Sequence, residues 1–97
     1  MNFNNVTKAV KTFEQLTISD LRTLLNNRGY IGNDSIKTIE TESWSLDVKV
    51  NNVVIEFDVE YYDTNEGVMD YGGIVLTFDI NGDISDCDFG GCGSFFN

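Results

Sequence analysis

The residues of this sequence that can do chemistry are carboxylates, and three of them share one short stretch. Glu56, Asp58 and Glu60 alternate with apolar residues between Val53 and Tyr62, and no cation stands among them. A pair of carboxylates such as Asp47 and Glu56 is the equipment of a glycoside hydrolase. That chemistry needs one carboxyl group buried and the other solvated, whereas alternation puts these groups on one wet face. We therefore predict that the protein is not an enzyme.

A second group of oxygen ligands lies near the C-terminus. Asp79, Asn81 and Asp83 have the spacing of the first three ligands of a calcium loop. However, Ile84 occupies the position that must be glycine, and Gly90 stands where the closing glutamate is needed. The dipeptide Asn81-Gly82 is also the strongest short signal for a hairpin turn. We expect a turn and no metal or cofactor here, with a calcium-binding module as an alternative.

The sequence lacks the residues that several other chemistries need. The 97 residues contain no histidine and two cysteines, which excludes histidine-dependent catalysis and a four-thiolate metal site within one chain. No phosphate-binding glycine motif is present. We interpret Cys87 and Cys92 as ordinary thiols. The chain has neither an 18-residue apolar run nor a basic segment followed by an apolar one, so we expect one cytoplasmic domain over residues 1–97.

The charge is unevenly distributed along the chain. The net charge is −10, yet residues 1–49 hold six cations and six acids and are balanced. Residues 50–97 hold ten acids and no cation. Phosphates would be repelled by this half, so DNA, RNA and an anionic membrane are not expected as direct partners. The distribution favours a basic protein as partner.

The first 30 residues have the pattern of two helices. An apolar stripe runs from Val6 to Leu16 at helical spacing, with Asn4 or Asn5 as its expected N-cap. Thr17 or Ser19 is expected to cap a second helix that ends before Gly29. These stripes are typical of helices that cover one face of a sheet, and a partner-binding helical hairpin is the alternative.

Residues 36–62 change to the period-two pattern of strands. Two alternating runs flank Asn51-Asn52, which is compatible with a two-residue type I′ turn. If Val50 pairs with Val53, then Leu46 lies opposite Phe57 and nearly every pair on that face is apolar. Asp47 and Glu56 would lie opposite each other on the other face. This agreement supports an antiparallel hairpin.

Residues 62–73 have the composition of an acidic loop in which Met69 and Tyr71 either anchor a partner or fold back onto the sheet. Strands over 74–80 and 83–89 then form a second hairpin, with Leu76 opposite Cys87 and Asp79 opposite Ile84. The segment 91–97 is rich in glycine and is expected to be a flexible tail. The predicted fold class is α+β: two N-terminal helices packed on one face of a four-stranded, mainly antiparallel sheet.

The function is predicted from the acids of that sheet. A rigid array of negative charge can imitate a nucleic-acid backbone and occupy a basic groove, although acids that merely keep the domain soluble are the plainer alternative. The predicted partner-binding residues are Asp47, Glu56, Asp58, Glu60, Asp63, Glu66, Asp70, Tyr71, Asp79, Asp86 and Asp88.

In size, charge, composition and lack of histidine and proline, the chain resembles the small acidic inhibitors that phages and mobile elements use, the anti-CRISPR and anti-restriction proteins. The resemblance rests on no motif. It implies a stoichiometric inhibitor, a monomer or homodimer in the host cytoplasm, that binds a basic nucleic-acid-binding protein such as a CRISPR effector or restriction nuclease. An immunity protein that neutralises a basic toxin nuclease is the alternative.

Overall fold

The computed structural model describes residues 3–29, 36–63 and 66–90, and these form two helices followed by four strands. The prediction of an α+β fold is confirmed. The expectations of a flexible tail and of an ordinary thiol at Cys92 lie outside the described residues. The elements are α1 (Phe3–Glu14), α2 (Ile18–Asn27), β1 (Ile36–Val48), β2 (Val53–Asp63), β3 (Val68–Phe78) and β4 (Ile84–Gly90). Neither helix is long and apolar enough to cross a membrane.

The cap of α2 is as predicted, whereas that of α1 is not. Thr17 caps α2 through a capping box: its hydroxyl accepts from the Asp20 N–H, and the Asp20 carboxylate accepts from the Thr17 N–H, both at 3.1 Å. Gly29 follows the helix with a φ of +81°, which a residue with a Cβ rarely adopts. Helix α1 begins at Phe3, ahead of both Asn4 and Asn5, so neither of them is its N-cap.

The sheet is an antiparallel meander in the order β1-β2-β3-β4. Its central hairpin pairs β2 with β3 without interruption from Val53–Phe78 to Asp63–Val68. The prediction of a loop over 62–73 is therefore wrong, because most of that segment belongs to these two strands. Gly72 was a misleading signal: the ring of Phe89 would lie 2.6 Å from a Cβ at this position, so tertiary packing requires a glycine within the strand.

Over residues 44–48, next to the turn, the β1–β2 register differs from the prediction by two residues, and it is shifted further over residues 36–39. Val48 lies opposite Val53 and Leu46 opposite Ile55, and residues 49–52 form a four-residue turn closed by the Lys49 N–H and the Asn52 carbonyl at 2.8 Å. A type I′ turn would need positive φ at both central residues, and no described residue other than glycine has one. Because the slip over residues 44–48 is even, every side chain there stays on its predicted face.

Strand β1 is also irregular in its middle. Between the Ile39–Val59 pair and the Trp44–Phe57 pair, β1 advances five residues while β2 advances two. Within this bulge the Glu42 N–H donates to the carboxylate of Glu40 at 2.7 Å. Extra residues of this kind bend a strand and interrupt its pairing.

The predicted β3–β4 register is confirmed in the middle of the hairpin and is wrong next to its turn. Leu76 lies opposite Cys87 as predicted, but Ile84 lies opposite Phe78 rather than Asp79. The turn is a three-residue connection in which the Gly82 N–H donates to the Asp79 carbonyl at 3.0 Å and Gly82 takes a φ of +81°. Such a type I turn with a glycine bulge is the second common way to close a hairpin at an Asn-Gly pair.

The core lies between the helices and one face of the sheet. Alternate residues of β2, from Val53 to Tyr61, are fully buried, together with their neighbours on β3 and β4. Phe13 of α1 contributes most from the helical layer, since its ring centroid lies 5.0 Å from that of Phe57 and 5.2 Å from that of Trp44. The helical stripes therefore cover the sheet, as the sequence indicated.

Candidate partner-binding face

The face of the sheet opposite the helices, which we call the open face, carries most of the predicted site. It follows from period two: the residues of β2 and β3 that alternate with the buried ones must point to the other side. None of these side chains is buried. The open face consists of Thr38, Ser45, Asp47, Val54, Glu56, Asp58, Glu60, Tyr62, Met69, Tyr71, Gly73, Val75, Thr77, Asp86, Asp88 and Gly90.

The acids of the open face form two lines with a neutral strand between them. Glu56, Asp58 and Glu60 follow one another along β2 at about 6.8 Å, twice the rise of an antiparallel strand. Asp86 and Asp88 stand on β4, two strands and so about 9.6 Å away. Strand β3 lies between the two lines and presents only uncharged residues to this face. The charged surface is therefore wider than β2 alone.

Cations neutralise the margins of this surface and leave its centre charged. Lys49 lies 3.0 Å from the carboxylate of Asp47, and Arg28 lies 3.3 Å from that of Asp86. In the part of the chain that the structure describes, no lysine or arginine lies within ion-pairing distance of the three acids on β2. The helical segment 3–29 carries four cations and two acids, whereas 36–90 carries two cations and thirteen acids. The helical segment is therefore net positive, whereas the sheet segment is strongly negative.

The bulge in β1 shapes the surface next to these acids. A shallow depression of about 290 Å³ opens beside Glu56 and Asp58 and is bounded on the β1 side by Ser43 and Ser45. Its lining offers carboxylate and hydroxyl oxygens, which are acceptors for an ammonium or guanidinium group. The acidic array therefore contains a concave position.

One end of the open face is apolar. Tyr62 lies opposite Met69 across the β2–β3 pair, and Tyr71 lies two residues farther along β3. Their exposed fractions are 41%, 43% and 68%, so all three are largely free of the core. They are strand residues, not loop residues, and none folds back onto the buried face. The sequence contained the signal for this arrangement in its alternation, but Gly72-Gly73 obscured the strand.

Three predicted residues at this end of the sheet lie elsewhere. Asp63 is 3% exposed on the core side, where its Oδ1 accepts from the Glu66 N–H at 3.1 Å, so the prediction that it contacts a partner from an acidic loop is corrected. Glu66 is exposed in the turn between β2 and β3. Asp70 belongs to the core side of β3 and accepts the N–H of its neighbour Tyr71 at 2.8 Å. None of the three acids adds to the open face.

Asp79 has a structural role in the β3–β4 turn. Its Oδ1 accepts from the N–H of Asn81 at 2.9 Å and from that of Asp83 at 3.1 Å. Side-chain bonds of this type stabilise a turn without any ligand. Over residues 3–29, 36–63 and 66–90, no three acidic or cysteine side chains come together in a way that would hold a metal ion. The geometry is that of a capped hairpin.

Cys87 lies behind the acids of β4 and is buried in the core. Burial raises the pKa of its thiol to about 11, while the nearby Arg28 opposes that rise. A protonated, buried thiol is a poor nucleophile. Cys87 therefore packs the core.

Comparison of the chain with protein-family models, with curated proteins and with solved structures finds no match. The open face, an acidic surface with an apolar end, is the feature of this fold that bears on function.

Proposed function

We propose that the protein is a non-enzymatic inhibitor that binds the basic surface of a nucleic-acid-binding protein and blocks the site where phosphates would bind. The proposed target is of the kind that anti-CRISPR and anti-restriction proteins inhibit, such as a CRISPR effector or a restriction nuclease. One observation carries the proposal: Glu56, Asp58 and Glu60 stand in line on a paired central strand without a cation beside them in the described chain.

The cost of this arrangement supports a role for it. Like charges on one face repel each other, and the repulsion lowers the free energy of unfolding. The margins of the same face have cations, so the fold is able to place them there. A basic groove would supply the missing counter-charges, and steering by the acids would speed the encounter.

The location on β2 makes the array rigid. Strand β2 pairs with β3 along its whole length and with β1 on either side of the bulge opposite Asp58, and the residues that alternate with the three acids are fully buried in the core. The carboxylates therefore start from fixed Cα positions, which lowers the ordering entropy lost on binding. A groove that binds a nucleic-acid backbone is shaped to hold a row of regularly spaced negative charges such as this one.

The test is capture of a partner from host lysate by the immobilised protein at low and at high salt. One variant changes Glu56→Gln, Asp58→Asn and Glu60→Gln. The control changes three exposed acids away from the open face, Glu14→Gln, Glu66→Gln and Asp83→Asn, and so alters the net charge equally.

We expect a nucleic-acid-binding protein to be captured at low salt by the wild type and the control, and to be lost at high salt and with the open-face variant. A short DNA or RNA duplex should compete for the captured protein, because screening and competition both act on the phosphate-binding groove. Capture that survives high salt and the open-face variant would contradict the proposal. Capture of a toxin nuclease would assign the alternative role of an immunity protein.

A further inference from the structure

Glu60 and Tyr71 are directly opposed across the β2–β3 pair, at the junction between the acidic line and the apolar end of the open face. Side chains opposed in this way have Cβ atoms about 5 Å apart and project in the same direction. Tyr71 is the most exposed aromatic residue of the open face, and Tyr62 and Met69 form the next pair along the ladder. A carboxylate, an aromatic ring and a thioether thus border one small area.

This combination is chemically selective among cations. A guanidinium group is planar, so it can donate two parallel hydrogen bonds to a carboxylate and also stack on an aromatic ring. An ammonium group is a compact, strongly hydrated charge that gains less from the ring and cannot bind in a bidentate manner. The aliphatic stem of an arginine would in addition pack on Met69 and Tyr62. The area fits arginine better than lysine.

We propose that Glu60 and Tyr71 form an arginine-binding site that determines which basic surface the protein recognises. The inference rests on the proposed function, because it takes the partner to be basic, and it names the side chain that the partner supplies at this end. The protein's own described arginines are engaged elsewhere, Arg22 with the Ile36 carbonyl at 2.6 Å and Arg28 with Asp86. Charge complementarity therefore points to an arginine from outside.

The experiment compares binding of two probe peptides, octa-arginine and octa-lysine, to the wild type at low salt by titration calorimetry. A cation–π contact at an exposed site strengthens binding by about 2- to 5-fold, and bidentate pairing adds to this. We expect octa-arginine to bind more tightly by at least that factor. Amide chemical shifts of residues 60–62 and 69–71 should change more with octa-arginine than with octa-lysine.

Two variants distinguish the contribution of the Tyr71 ring to binding from the contribution of the negative charge. Tyr71→Leu keeps an apolar side chain on the exposed surface, and it should reduce the preference for octa-arginine by the ring's share of about 2- to 5-fold while weakening octa-lysine binding less than octa-arginine binding. The control, Asp47→Asn, removes one acid at the other end of the face and should weaken both peptides equally. Circular dichroism of each variant verifies the fold.

Equal affinity of the wild type for the two peptides would overturn the arginine site and leave the proposed function standing. A preference as large in Tyr71→Leu as in the wild type would likewise overturn it. Absence of binding to either peptide at low salt would overturn both the arginine site and the proposed function.

Discussion

Arg28 Nε lies 3.3 Å from the Asp86 carboxylate and so joins the end of α2 to the outer edge of β4. The same guanidinium donates to the Ser85 carbonyl at 3.0 Å, and the Asp86 carboxylate accepts from the Cys87 N–H at 2.9 Å. These backbone groups are the ones that another strand would otherwise pair with. In a chain without proline, side-chain bonds protect this sheet edge.

Removal of this protection should promote self-association. In the double variant Arg28→Ala, Asp86→Ala, we expect the free energy of unfolding to change by about 1 kcal/mol or less, because the ion pair is largely exposed. Sedimentation velocity should nevertheless show more dimer than for the wild type as the concentration rises. The control Lys49→Ala removes an ion pair at a turn and should not associate further. Equal association of wild type and double variant would refute this role of the pair.

Gly82→Ala should destabilise the protein more than Gly29→Ala, although both glycines have a φ of +81°. A Cβ at Gly29 meets no atom within 4 Å, so only backbone strain of about 1–2 kcal/mol is expected. A Cβ at Gly82 would lie 2.5 Å from the Cβ of Lys8, where the β3–β4 turn packs on α1. We expect a further loss of about 1–2 kcal/mol from this overlap. Urea unfolding of the two variants measures the difference, and equal losses would show that the contact is unimportant.

Phe13→Ala should weaken the packing of α1 on the sheet. The ring of Phe13 lies between Trp44 and Phe57, and its removal should lower the free energy of unfolding by about 3–5 kcal/mol. The fluorescence of Trp44, the only tryptophan, should shift because it loses this neighbour. Phe13→Leu, which keeps much of the volume, should cost less than half as much. Equal stability of Phe13→Ala and wild type would contradict the described core.

Stability should decrease at alkaline pH in a way that depends on Cys87. Burial raises the pKa of its thiol from 9.0 to about 11, so the folded protein holds this proton more tightly than the unfolded chain does. The resulting stabilisation is complete below pH 9 and is lost as the pH rises to about 11. Urea unfolding at several pH values, with Cys92→Ser as background, should show a steeper loss than in the same background with Cys87→Ala. Parallel stability profiles of the two proteins against pH would contradict the raised pKa of Cys87.

The alternation of residue types was sufficient to assign each residue of β2 to its face. Period two is a property of the extended backbone, so the alternation from Val53 to Tyr61 specified the buried side and the acidic side together. The two-residue error in the register of residues 44–48 changed no face for the same reason. The cap of α2 at Thr17 and Gly29 was also predictable, because capping depends on neighbours along the chain.

The ends of the strands and the surroundings of the acids could not be predicted from local patterns, because they depend on tertiary contacts. Gly72 belongs to a strand because the ring of Phe89, distant in sequence, occupies the space of a side chain there. That extension buried Asp63 and placed Tyr71 opposite Glu60. Local patterns follow from the geometry of a single strand, whereas register, strand length and the composition of a surface depend on contacts between residues far apart in the chain.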